Sequence, residues 1–310
     1  MEKIVITGAT GFLGSNLAAR FLEAGARVYA LVRPESTHLD SLPSHENLVI
    51  VRCGLEHVLD CVEQIGTADG FFHFAWGGVN REEIDSPAVQ ARNVAGSLDC
   101  IKAAHLLQCK VFMDAGSRVE YGVTDQVMKE TLPCHPVNEY GKAKLEFYRK
   151  ALLLCEEFGM TYFHLRFFSV YGFQDHPWSI ISTLIRELGL GRKVALSACL
   201  HRWNFMYIAD AVEAVYELYT HAGVHSGESH IVNIASTDTR QLKSFVEEVK
   251  AIIGGDGTLE YGSFVQAKEG ALSIVPDVET LKALTEGFTE RYTFRSGIME
   301  TIEKESETKR

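Results

Sequence analysis

The chain has 310 residues, with 30 Lys+Arg against 41 Asp+Glu (formal charge −11), 46% hydrophobic and 23% charged; this is an ordinary globular composition, long enough for about two domains. The acidic balance argues against a protein whose main ligand is a nucleic-acid backbone. No apolar stretch reaches the roughly 18–20 residues that cross a bilayer. The cysteines, at 53, 61, 100, 109, 134, 155 and 199, are odd in number and contain no CxxC pair, which fits reduced thiols in a cytoplasmic protein. MEKIVITGATGF enters folded-looking sequence without a secretory leader.

In chain order, KIVITG, NLAARFLEAG, RVYALV, NLVIVR, DCVEQIG, GFFHFAW, NVAGSLDCIKAAHLL and KVFMDAG alternate short apolar runs with amphipathic stretches. That alternation predicts a doubly wound parallel α/β sheet of Rossmann type. A helix at about 139–157, a buried strand at 161–168 and a helix at about 178–189 continue it. The strict alternation lapses after Gly172, and a helix at 208–219 and a strand at 230–235 return to the sheet. The expected division is a dinucleotide-binding domain of residues 1–172 and 206–237, with a smaller, discontinuous C-terminal α/β substrate lobe of 173–205 and 238–310. The polar tail EKESETKR reads as a frayed helix end.

Thr7-Gly8-Ala9-Thr10-Gly11-Phe12-Leu13-Gly14 sets three glycines between the first strand and the first helix. A tight turn, close backbone approach to a pyrophosphate and helix amides aimed at it require this spacing. Gly8, Thr10, Gly11, Phe12, Leu13 and Gly14 are therefore the expected cofactor cradle. Arg33 follows the second strand, where an acidic residue would bind a ribose 2′-hydroxyl and an arginine can pair with a 2′-phosphate. NADP(H) is the preferred cofactor on this reading, with NAD(H) allowed; the alternative is that Arg33 is a solvated loop residue.

Tyr140 and Lys144 lie four apart in NEYGKAK, so a helix sets them on one face, where an ammonium would lower the phenol's pKa toward working pH. Ser117 ends the strand KVFMDAGS, at the carboxyl edge where open parallel sheets carry their sites. Alone, YxxxK is common in unrelated chains.

Together, TGATGFLG, HFAW, NVAGSLDCIKAA, AGSRVEYG, NEYGKAK, LRFFSVYG and RWNFMYIAD resemble, in order, blocks of the extended short-chain dehydrogenase/reductase family. The likeness is greatest to its nucleotide-sugar 4-ketoreductases and 4-epimerases of the CDP-abequose/paratose synthase type. The resemblance implies Ser117, Tyr140 and Lys144 as catalytic residues, Lys144 also binding ribose. It places Phe74, Ala75 and Asn93 near the cofactor, Asn93 having helix packing or an internal cap as its alternative, and His73 as a loop or core histidine. Trp76, Ser117, Arg118, Glu120, Ser169, His176, Trp178, Arg202 and Lys268 are the implied substrate contacts. For Arg202 the alternative is a salt bridge between lobes, and for Trp178 core packing. Gly54 stands where the family commonly has an adenine-binding Asp, and Ser169 where it has Asn.

A 4,6-dehydratase would need Asp-Glu directly after the catalytic hydroxyl, where Arg118 and Val119 stand. Net reduction wants a dissociable NADPH, which Arg33 suits, so the expected activity is reduction of a nucleotide-linked 4-keto-6-deoxysugar. The alternatives are a 4-epimerase with retained NAD and a non-catalytic cofactor sensor. The resemblance also implies a homodimer across helices near 97–108 and 139–157; no metal, membrane or nucleic acid is expected.

Overall fold

The computed structural model describes residues 1–80, 82–221, 227–263 and 273–308. The first half of the chain alternates strand and helix: β1 (Lys3–Thr7), α1 (Phe12–Glu23), β2 (Arg27–Val32), β3 (Leu48–Arg52), α2 (Val62–Ile65), β4 (Gly70–His73), α3 (Pro87–Leu106), β5 (Val111–Ser117), α4 (Glu139–Glu157) and β6 (Thr161–Phe167). Then come β7 (Ser169–Tyr171), α5 (Ile180–Gly189), β8 (Lys193–Leu196), β9 (Arg202–Tyr207), α6 (Ile208–His221), β10 (Ser229–Ile234), β11 (Thr239–Gln241), α7 (Leu242–Ile253), β12 (Thr258–Tyr261), α8 (Glu279–Leu284) and α9 (Phe294–Thr308).

Seven strands pair in the order β10-β6-β5-β4-β1-β2-β3, all parallel. Successive residues of a strand face opposite sides. Ile4 and Ile6 accordingly join Leu17 and Phe21 of α1 and Val215 and Leu218 of α6 in one core. Val5 faces a second core with Phe71, Phe112, Ile101 of α3 and Phe147 of α4. Each such fully buried side chain contributes about 1.5–3 kcal/mol. Between β1 and β4 the strand order reverses, which opens a crevice above the carboxyl edge.

A three-stranded sheet, β11-β9-β7, and a two-stranded one, β12-β8, make up the smaller lobe. β7 pairs in parallel with β9, Ser169 beside Phe205. The chain therefore leaves the large sheet at Phe167, before Gly172. α6 and β10 return to the large sheet, β10 lying along β6. The polar tail is helical as far as Thr308, tied by a Lys304–Glu300 ion pair at 3.3 Å one turn apart. All seven cysteines are free thiols. No helix among the described residues is long and apolar enough to cross a membrane.

Candidate active site

The cofactor cradle is built of backbone. Gly8 has φ +68°, and a Cβ there would stand 2.6 Å from the Ala75 amide nitrogen; a Cβ on Gly14 would overlap the Gly8 carbonyl. Gly11 caps α1 without a side chain, and no acidic residue lies in the first turn. The helix's free amides and positive dipole end therefore face the crevice, a fit for a dinucleotide's pyrophosphate. Thr10 is held by Ser41, whose Oγ donates to its carbonyl at 3.2 Å, while Phe12 and Leu13 rest against the core.

At the end of β2, Arg33 is 73% exposed and 3.7 Å from Glu35. The loop after it is shaped by Arg52, which donates to the carbonyls of Pro34 at 3.0 Å and Ser36 at 2.9 Å. The Glu56 carboxylate fills the space that a side chain at Gly54 would take.

Beyond β4, His73 is a satisfied core histidine. Ser97 Oγ donates to the Asn93 carbonyl at 2.7 Å and so accepts from His73 Nε2 at 2.7 Å, which leaves Nδ1 to accept from Thr7 Oγ1 at 2.8 Å. Burial, with Lys144 adding repulsion, lowers its pKa to about 3, so it stays neutral. The Ala75 amide donates back to Thr7 Oγ1 at 3.3 Å, and Phe74 packs edge-on against Phe167. Asn93, expected beside the cofactor, is instead a clamp: its Oδ1 accepts from Gly77 N at 3.0 Å and its Nδ2 donates to Gly77 O at 2.8 Å. With both polar atoms engaged it fixes the loop that carries Trp76.

Asn138 caps α4 by accepting the Gly141 amide at 2.8 Å, and one turn in, Tyr140 and Lys144 share a face. Ser117, at the end of β5, is close enough to Tyr140 to pull its phenol pKa down. The electrostatics differ from the sequence expectation. Burial pushes Tyr140 up to about 12, with Ser117 and Arg118 pulling it down and Glu120 pushing it up. Lys144 Nζ donates to the Ala115 carbonyl at 2.6 Å and sits 3.5 Å from the centroid of the Trp76 ring, against 5.8 Å for that of Tyr140. Burial lowers the ammonium to about 8 against the pull of Asp114 and Glu120.

Below this group runs a buried polar column that the sequence reading missed. Tyr162, His164 and Arg166 alternate along β6 and share the face toward α4. Asp114 lies beside His164 in register and Gly116 beside Arg166. Tyr162 donates to Asp114 at 2.7 Å, and His164 donates to Asp114 at 3.1 Å and to Glu120 Oε2 at 2.8 Å. Arg166 Nε donates to the same Glu120 oxygen at 3.0 Å, and the Ser117 amide to Oε1 at 2.7 Å. Burial opposes the charge on His164, but Asp114 and Glu120 raise its pKa to about 9. Burial likewise opposes ionised Glu120, and His164 and Arg166 hold it at about 2. A Cβ on Gly116 would stand 2.6 Å from His164 Nε2. Glu120, expected to touch substrate, is thus wholly buried beneath Ser117. The available signal was three polar side chains at alternate positions of the otherwise apolar TYFHLRF.

On the lobe side, Ser169, Tyr171, Asp175, Ser179, Trp203 and Phe205 line a cavity of about 200 Å³. Ser169, one of the expected substrate contacts, is in this lining. Arg202 is not: on β9 it alternates with Trp203 and donates through Nη2 to the Thr239 carbonyl at 2.9 Å. It forms no salt bridge to a described residue. Trp203 and Phe205 are the β9 side chains that line the cavity, and the Arg118 guanidinium lies 5.1 Å from the Trp203 ring centroid. His176 and Trp178 stack on each other at 4.5 Å with Trp178 64% exposed, so Trp178 is not a core residue. Lys268 lies outside the described residues.

A glycine turn at the switch point, with Ser, Tyr and Lys on the carboxyl edge of a parallel sheet, defines a dinucleotide-dependent α/β enzyme. The chain belongs to the NAD dependent epimerase/dehydratase family, whose model matches residues 4–235. Among curated relatives, a UDP-glucose 4-epimerase of Halalkalibacterium halodurans is 23% identical, the match covering 81% of this chain and 80% of that protein. A CDP-abequose synthase of Yersinia pseudotuberculosis is 23% identical over 80% of this chain and 84% of its own. Among solved structures, MoeE5 in complex with UDP-glucuronic acid and NAD is 27% identical, with 99% of each chain covered and a TM-score of 0.84.

Proposed function

We propose that this protein reduces a nucleotide-linked 4-keto sugar. The observation that carries the reading is Tyr140 one helical turn from Lys144 on α4, close to Ser117 at the carboxyl end of β5. A bound nicotinamide dinucleotide supplies the hydride. Tyr140 gives its proton to the sugar oxygen at C4, Ser117 steadies that oxygen, and Lys144 holds the ribose and offsets negative charge on Tyr140. A phenol held at about 12 is protonated at neutral pH, which is the state that reduction requires.

Arg33 supports NADPH, because its only ion pair among the described residues is a 3.7 Å contact with exposed Glu35 and its guanidinium is open to a 2′-phosphate. A second reading, 4-epimerisation with retained NAD, is favoured by the NAD in the MoeE5 complex and by the UDP-glucose 4-epimerases among the relatives. The proposal includes a homodimer across α3 and α4, which leave Leu106 and Leu153 exposed by 56% and 66%.

The test is incubation with NADPH and a panel of nucleotide-linked 4-keto sugars, 6-deoxy forms included, while cofactor absorbance and product are followed. Stoichiometric loss of NADPH supports reduction. Interconversion of two 4-epimers with no net cofactor loss would replace it by the second reading.

A further inference from the structure

Arg118 follows Ser117 directly and opens the turn Arg118–Tyr121 at the end of β5. Three other arginines are at least partly buried, and each has an acid: Arg166 with Glu120, Arg20 with Glu213, and Arg240 with Asp238 and Glu248. Arg118 is the exception. Its guanidinium has no hydrogen bond or ion pair with any described residue and is held only by the face of Trp203 at 5.1 Å. The neighbouring carboxylates are already engaged. Glu120 serves Ser117, His164 and Arg166, and Asp175 accepts the His176 amide at 2.6 Å. A half-buried guanidinium without a counter-charge is partly desolvated at a cost to the fold, and it is a ready site for an anion brought by a ligand.

Position narrows which anion. The charge lies 5.1 Å from the ring centroid of Trp203 in the cavity wall and is near enough to Tyr140 to lower its pKa. If Tyr140 works on the C4 oxygen, a substituent on the neighbouring ring carbon falls within reach of Arg118. The planar fork of a guanidinium matches a carboxylate through two parallel hydrogen bonds.

We infer that Arg118 binds a carboxylate carried by the sugar itself, so that the substrate is a nucleotide-linked hexuronic acid in place of the 6-deoxy form expected from the sequence. This rests on the nucleotide-sugar reading above. Burial also lowers the pKa of Arg118 to about 10, in keeping with a cation that lacks its partner.

Binding is the suitable readout, because a 4-keto hexuronic acid is a β-keto acid that loses carbon dioxide by itself. Calorimetry compares UDP-glucuronic acid with UDP-glucose, and GDP-mannuronic acid with GDP-mannose, on protein saturated with NAD or NADP. Wild type should bind one acid at least about 10-fold tighter than its matched hexose. Arg118→Gln should weaken that acid by about 30-fold or more and the hexose by less than about 3-fold. With no ligand, Arg118→Gln should melt no lower than wild type, since it removes an unpaired charge; a lower melting temperature would mark a structural role. Equal weakening of acid and hexose would assign Arg118 to the diphosphate and overturn the inference. Tighter binding of the hexose by wild type would overturn it while leaving the nucleotide-sugar reading intact. Failure of every member of both pairs to bind would end both.

Discussion

The carboxylate of Glu120 accepts the backbone amide of Ser117 through one oxygen at 2.7 Å, while the other oxygen is held by His164 and Arg166. The proposed catalytic hydroxyl is therefore oriented from beneath by a buried ion pair. Glu120→Gln leaves two cations facing a neutral amide, and breaking a buried pair in this way costs about 3–5 kcal/mol. Chemical denaturation should show that loss, with turnover falling through misplacement of Ser117. A loss below about 1 kcal/mol would show that the column does not hold the site.

The same column makes stability depend on pH. His164 rises from 6.5 to about 9 on folding, so its contribution is complete below about pH 6.5 and is lost as pH climbs through about 9. Glu120 falls from 4.5 to about 2, so its contribution is complete above about pH 4.5 and is lost as pH drops through about 2. The denaturation midpoint should be highest between these limits and decline from pH 6.5 to 9. His164→Phe should flatten that alkaline decline, and an unchanged slope would exclude His164 as its source.

Replacing Tyr140 by Phe removes the proton donor and leaves the glycine cradle untouched. Turnover should drop by about 10²–10⁴-fold, with dinucleotide affinity changed less than about 3-fold. Lys144, lowered to about 8 by burial, loses its charge above that pH. The wild-type reductive rate should fall on an alkaline limb near pH 8, and Lys144→Met should be slow at every pH without that limb.

Arg33 follows β2, where the adenosine end of the cofactor is proposed to lie. Arg33→Asp should lower the NADPH preference, measured as the ratio of kcat/KM for NADPH and NADH, by about 10-fold or more. A single charge-assisted contact of about 1.5–3 kcal/mol sets that scale. A ratio that does not move would make Arg33 a solvated loop residue.

How much of this was legible depended on whether the pattern had a period. Strand and helix alternation placed the sheet, and a four-residue spacing placed Tyr140 over Lys144, because helical geometry fixes which residues share a face. The side of the strand that Arg202 takes was not legible for the opposite reason. On a strand, adjacent residues point opposite ways, and RWNF offers a charge on one face and aromatics on the other, with nothing in the sequence to say which lines the cavity. Glu120 looked like a substrate contact because its partners lie 44 and 46 residues away, on β6. The sensitivity of Tyr140 to burial rather than to Lys144 follows from Trp76 and the Ala115 carbonyl taking the ammonium, a contact that only the folded loop after β4 creates.

Position 116 shows how far a small residue can reach. Alanine is the mildest replacement on most surfaces, yet a methyl group here would enter the space in which His164 meets Glu120. The collision would be felt along the column to the backbone of Ser117. The geometry around the reacting oxygen is thus secured in part by an absent side chain, and variation at this strand position is closed off even though residue 116 need touch neither cofactor nor sugar.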